Sequence, residues 1–277
     1  MITDEREKLE KALGYKVSKS NEMVQRGRYI LTLREQRALD YAISKIQKAD
    51  KPGKVYQVDP KEAYRIVTAA EGHMGGRELR AAYDVFRSLQ YRPVEICPKA
   101  GVRVSCNWLQ HVTIDENNNT LSFEIDSKLT PYLLHLRENF TAYELRNTAK
   151  MKSIYGSRLY QVLKSYAKGR EVEKAFTLDE LKEAIGASFE AFKNKRGVYE
   201  VKTIKSYEMY GKLKQAVIDP AVEDINTYSD MRVEYEAIKT GRKVTAVKFK
   251  INDDHAAAGA RFMDQLDRQH PPERYGE

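Results

Sequence analysis

The 277 residues carry 48 Lys and Arg against 40 Asp and Glu, a net charge of +8, with 42% hydrophobic and 10% aromatic residues. That apolar content excludes wholesale disorder, the length suffices for two domains with their own cores, and the positive balance suits a polyanionic partner without proving one. No run approaches the ~18 apolar residues of a membrane span, residues 1–14 lack the apolar stretch of a secretory signal, and two cysteines, Cys97 and Cys106, make no disulfide framework, so a reduced cytoplasm is the expected compartment.

In chain order, residues 32–49 read as an amphipathic helix, with Leu33, Leu39, Ala42, Ile43 and Ile46 recurring at helical spacing. Residues 55–58 form a short strand, and Pro60 opens a second helix capped by Asp59. Residues 72–76 read as a flexible joint, and a third helix follows over residues 77–89. Strands are expected at 93–97, 102–114 and 121–125, with Asn117, Asn118 and Asn119 turning the last two, and residues 129–136 are expected to be helical.

The second half repeats this order. Residues 153–167 form a helix, residues 174–176 a short strand, and Thr177 with Glu180 a capping box opening a helix that ends at Gly186. A basic loop over 187–205 precedes a long helix, residues 206–226, in which Pro220 is expected to cause a kink. A hairpin over 231–238 and 244–251 turns at Thr240 and Gly241. Helix, strand, helix, helix, hairpin is the winged-helix order, so the expected fold is α+β, two tandem winged-helix domains related by pseudo-symmetry. The expected boundaries are an N-terminal arm at 1–16, domains at 17–137 and 138–251, and a mobile, net acidic tail at 252–277.

Charge is concentrated. Residues 193–214 hold seven basic and two acidic residues, and residues 239–250 hold five basic and no acidic ones, so the two segments exceed the chain's net charge. Solvated faces would give the same composition. In the long helix, Tyr210, Leu213, Val217, Ala221 and Ile225 step along a core face. Lys205, Glu208, Lys212 and Gln215 step along another, with Lys214 beside it. Lys bonds guanine O6 and N7, Gln bonds adenine N6 and N7, and Tyr207 is placed to stack on a sugar or meet a thymine methyl. The alternative is an ordinary solvated helix. At the hairpin tip, Lys239, Arg242 and Lys243 are placed to meet phosphate. On the third helix of the first half, Arg77, Arg80 and Arg87 form a weaker version, and Arg87 has the alternative of pairing with an acid.

Several segments resemble the theta-type Rep initiators of iteron-carrying plasmids. They are Val17-Ser18-Lys19-Ser20-Asn21-Glu22-Met23 with the run from Tyr29 to Arg37, Tyr155-Gly156-Ser157-Arg158-Leu159-Tyr160, Ser206-Tyr207 with the run from Val217 to Asn226, and Gly241-Arg242-Lys243. The resemblance spans residues 17–251. It implies monomers that bind tandem origin repeats with both domains and help melt adjacent DNA. It also implies dimers, formed through the first domain, that repress their own gene, and recruitment of the host initiator and replicative helicase. The long basic loop at 187–205 departs from the family pattern and blurs where the reading helix starts. A double winged-helix repressor without a replication role is the alternative function. An interaction protein whose basic patches bind RNA or another acidic surface is a third.

Catalysis is not expected. His73, His111, His135, His255 and His270 form no His-x-His pair, no phosphate-binding Gly-x-x-x-x-Gly-Lys-Ser/Thr loop occurs, and Cys97 and Cys106 lack a Cys/His cluster for zinc. The expected cofactor and metal complement is none.

Overall fold

A computed structural model describes residues 2–69, 76–99, 101–115, 117–134, 136–195 and 199–253. All of the expected joint at 72–76 except Gly76, which begins a helix, and nearly all of the expected tail lie outside these residues.

The chain opens with α1 (Ile2–Leu13), β1 (Lys16–Ser20), α2 (Asn21–Arg26) and β2 (Arg28–Tyr29). The segment expected as an arm is thus largely helix, packed on the later α4, with Ala12 fully buried. Next come α3 (Leu33–Ser44), β3 (Val55–Val58), α4 (Pro60–Thr68) and α5 (Gly76–Ser88). Thr32 and Glu35 form a capping box on α3, and Asp59 caps α4 with Pro60 in its first turn. α3 stops five residues before the expected end, and beyond it Asp50 accepts the Gln47 amide at 2.8 Å and the Lys54 ammonium at 2.6 Å, organising a loop.

Four strands follow: β4 (Pro93–Lys99), β5 (Val102–Asn107), β6 (Leu109–Asp115) and β7 (Thr120–Ile125). The strand expected over 102–114 is broken at Trp108, a fully buried ring set edge-on against Tyr29 at 4.8 Å. The break sends β5 to the sheet β2-β4-β5 and β6 to the sheet β3-β7-β6. Alternating apolar residues continue through the break, so the pattern alone does not reveal it. Then come α6 (Thr130–Leu133), shorter than expected, β8 (Phe140–Glu144) and α7 (Arg146–Ala149).

The second half consists of α8 (Ile154–Ala167), β9 (Glu171–Thr177), α9 (Leu178–Ala184), β10 (Phe189–Lys193), β11 (Tyr199–Thr203), α10 (Tyr210–Leu213), α11 (Asp219–Tyr228), β12 (Arg232–Thr240) and β13 (Lys243–Asn252). A π-helical stretch, Lys214–Ile218, joins α10 to α11. The Thr177–Glu180 capping box forms, and Gly186 takes φ +78 after α9.

Both halves place three helices against a three-stranded sheet of the same connectivity. In the first half it is β3-β7-β6, in the second β9-β13-β12, so in each the last strand lies centrally between the short early strand and its hairpin partner. These are two tandem winged-helix domains. Each has an extra hairpin, inserted differently: β4–β5 follows the third helix of the first domain, and β10–β11 precedes the third helix of the second.

The halves interlock. β1 pairs antiparallel with β8, from Lys16 opposite Glu144 to Ser20 opposite Phe140, so this ladder joins strands on either side of residue 137. α8 is buried on nearly all sides. At the seam, Lys19 donates to Asp40 Oδ1 at 2.6 Å and to Gln161 Oε1 at 2.8 Å, and both ends of the ion pair are 1% exposed. Arg158 donates to the Gly27 carbonyl at 3.2 Å and the Ala184 carbonyl at 2.8 Å, with its guanidinium 3.7 Å from the centre of the Tyr29 ring. Burial pushes the Arg158 pKa down to about 9.

Candidate nucleic-acid interface

The third helix of the second domain starts at Tyr210, not at residue 206 as the sequence suggested, and the expected basic loop before it is the β10–β11 hairpin. Phe189 and Val201 of that hairpin are buried, and Arg28 of the first domain donates to Thr203 Oγ1 at 2.5 Å and covers the Phe189 ring at 4.7 Å. A charged segment that alternates Tyr, Val and Phe with Lys and Glu is a strand signal; basic composition masked it.

Lys205, Ser206, Tyr207 and Glu208 therefore precede the helix. Ser206 Oγ donates to the Ala187 carbonyl. Tyr207 sits at φ +49, and its hydroxyl lies 3.3 Å from that of Tyr155 on α8. Left-handed backbone is costly for a bulky residue, so this contact with Tyr155 holds a strained approach into the helix. Burial and the bond to Tyr207 raise the Tyr155 hydroxyl pKa.

Within the helix, the expected core face packs inward: Leu213, Val217, Ala221 and Ile225 are all fully buried, and Tyr210 is half-buried against the core. Gly211, Lys212, Gln215 and Ala216 are exposed on the other side. A Cβ added at Gly211 would meet nothing within 4 Å, so a ligand can approach the backbone there. The disturbance expected at Pro220 takes the form of the π stretch, in which the Asp219 amide donates to the Lys214 carbonyl five residues back.

Lys214 is not free on this face. Its ammonium donates to Asp219 Oδ2 at 2.6 Å, and Tyr235 on β12 donates to Asp219 Oδ1. The bond to Asp219, then that to Tyr235, raises the Lys214 pKa to about 12. This triad ties the wing to the helix. Sequence reasoning missed Asp219 and Tyr235, because only the folded hairpin brings residue 235 beside residue 219.

Gly241, at φ +62, opens the two-residue loop of the wing, and Lys239, Arg242 and Lys243 are exposed at it. Further down the same hairpin, Lys248 pairs with Glu236 at 2.6 Å and Lys250 with Glu171 at 3.5 Å. The basic run thus divides into a neutralised base and a tip whose three cations enter no ion pair among the described residues. Lys205 and Lys212 likewise enter no ion pair among the described residues, whereas Lys202 pairs with Glu190 at 3.2 Å.

In the first domain, Arg80 and Arg87 are exposed on α5, and the side chain of Arg77 lies outside the described residues. Among the described residues, no group of three or more His, Cys, Asp and Glu could hold a metal ion, and no helix is long and apolar enough to cross a membrane.

Comparison with known proteins agrees with this architecture. A family model described as Initiator Replication protein, WH1, matches residues 16–164, and one described as Initiator Rep protein, WH2, matches residues 177–251. A replication initiation protein from Escherichia coli is 25% identical over 138 residues, 50% of this chain; the chain spans only 39% of that relative's length. The crystal structure of the Pi initiator protein in complex with iteron DNA matches with a TM-score of 0.64 at 17% identity, covering 86% of this chain and 97% of that one, a likeness of fold. With both winged-helix models matched in order across more than half of its length, the chain belongs to the initiator replication protein family.

Proposed function

We propose that this protein initiates plasmid replication by binding tandem origin repeats in duplex DNA. The observation that carries the reading is the pairing of two exposed surfaces, the start of the reading helix at Lys212 and the wing tip at Lys239, Arg242 and Lys243, whose four cations enter no ion pair among the described residues, joined by the Lys214–Asp219–Tyr235 triad. The helix enters the major groove. Lys212 donates to guanine, Gln215 bonds adenine bidentately, and Glu208 accepts from a cytosine amino group. Lys239, Arg242 and Lys243 hold the neighbouring phosphates, and Lys205 adds a contact at the helix approach. Ser206, Tyr207 and Lys214 act by fixing the position of that helix. Arg77 and Arg80 supply the first domain's share. The domains divide near residues 137–138 as described from the sequence, with the first also serving as the dimerisation unit.

Opening of the origin, recruitment of the host initiator and replicative helicase, and repression of its own gene as a dimer complete the proposal, on the strength of the family resemblance. Footprinting the protein on DNA beside its gene tests it. Protection of clustered direct repeats, each about two helical turns long, is the expected result. Protection of a lone promoter palindrome would instead make the protein a repressor without a replication role.

A further inference from the structure

We infer that the cleft between the two domains is a second site for DNA phosphate, separate from the reading helix and the wing; this rests on the duplex-binding reading above. The first domain has a wing, β6–β7, but its tip carries no cation among the described residues: Asp115, Asn117, Asn118 and Asn119 form it, and Asp115 is occupied in accepting the Asn117 and Asn118 amides at 3.0 Å. The Lys and Arg of this domain's two hairpins sit instead on the extra hairpin β4–β5, at Lys99 and Arg103 near its tip.

That tip lines a cleft of about 530 Å³ together with Arg26 of α2 and, from the second domain, Lys174, Tyr166, Glu180 and Glu183. The two acids are already engaged. Glu180 accepts the Thr177 amide at 2.8 Å and hydroxyl at 2.9 Å, and Glu183 faces Arg28 at 3.7 Å. Arg26, Lys99, Arg103 and Lys174 enter no ion pair among the described residues, so with Arg28 the cleft sets five cations from both domains against the two carboxylates and stays net positive. The Lys174 ammonium is steadied over the Tyr166 ring at 4.6 Å. Gly101, at φ +77, has open space where a Cβ would stand, so a polymer backbone can come close to the hairpin tip.

Phosphate suits this cleft better than an acidic protein segment does. Of the apolar side chains along it, Val162 and Phe176 are 1% and 6% exposed, and Val102 at the hairpin tip is 38% exposed, leaving a partner protein little to anchor on. Exposed arginine forks match phosphate oxygens.

The test is the salt dependence of binding by the full chain to a repeat-bearing duplex and to an unrelated one. Arg26→Ala/Arg103→Ala, at two exposed positions, is compared with Lys243→Ala and the unaltered protein. The double variant is expected to flatten the slope of log K against log salt by about 1.8 on both duplexes, at about 0.9 per lost phosphate contact, with the preference for repeats unchanged. An unchanged slope in the double variant, alongside a flattened one in Lys243→Ala, overturns the cleft assignment and leaves the proposed function standing. If neither variant flattens the slope and repeats are not preferred, the duplex-binding reading itself fails and the cleft assignment with it.

Discussion

The two winged-helix domains share element order and sheet connectivity and differ in where they keep charge. The second domain's wing tip holds Lys239, Arg242 and Lys243, while the first domain's holds one aspartate and three asparagines among the described residues. The turn chemistry differs accordingly. Gly241 supplies the positive φ of the cationic tip, whereas Asn119 adopts φ +50 in a turn stapled by Asp115. Apolar stepping maintains a fold, and nothing in it constrains the tips; charge is assigned site by site. Topological equivalence is therefore a poor guide to which wing meets a polyanion.

The comparison treats the halves as separable readers, and the largest expected effect comes from breaking the seam that joins them. Lys19→Met leaves Asp40 as a buried carboxylate without its ammonium, and removal of one partner of a buried pair costs about 3–5 kcal/mol. Burial lowers the Lys19 pKa, opposed by Asp40, so the pair already sits in an expensive environment. Chemical denaturation should show one transition with a lower midpoint. Two separated transitions would mean that the domains fold independently and that the seam does not couple them.

The two capping boxes offer a second contrast. Glu180 caps α9 in the open, but Glu35 also accepts from Ser88 Oγ and from Arg92 Nε, each at 2.8 Å. Burial alone would raise the Glu35 pKa; the Thr32 amide, Arg92 and Ser88 outweigh it and hold the carboxyl below its usual range. Its contribution is complete above the ordinary carboxylate range and is lost as pH falls through the depressed folded value. Glu35→Gln should cost roughly 1.5–3 kcal/mol at neutral pH, and the gap between variant and unaltered protein should close under acid. A gap that persists at low pH would assign the loss to packing.

Much of the fold was legible because it rests on local rules. Asp59 and Thr177 cap where capping chemistry demands, and Leu213, Val217, Ala221 and Ile225 mark a helix face by spacing alone. What escaped was decided at long range. The break at Trp108 depends on a partner ring from residue 29, and the β10–β11 hairpin on burial against the first domain. At the site, the exposure of Lys212 and Gln215 followed from periodicity, but the capture of Lys214 by Asp219 depended on Tyr235 arriving from another strand.

Base reading is where the second domain's advantage should be sharpest. Gln215→Ala should weaken binding to the specific site by about 1–3 kcal/mol and relax choice at one base position. Lys243→Ala should weaken all sequences alike. Titrations against single-base variants of the repeat separate the two. Equal losses on every variant with Gln215→Ala would remove that residue from the reading face.

The smallest effect is expected at the triad that ties wing to helix. In the first domain, the segment after α5 is tied to β6 by a neutral bond, Gln90 Nε2 to the Gln110 carbonyl at 2.7 Å. The second domain uses Lys214 and Asp219, which are 46% and 44% exposed, so their ion pair adds little to global stability. Tyr235→Phe keeps the ring and deletes the hydroxyl that Asp219 accepts, freeing the wing to pivot against the helix. Affinity for the repeat should fall by about 0.5–1.5 kcal/mol, mainly through faster dissociation, while binding to unrelated duplex and the unfolding midpoint stay nearly constant. A merely structural tyrosine would lower the midpoint and both affinities together. Loss confined to the specific complex is what a fixed angle between the two contact surfaces requires.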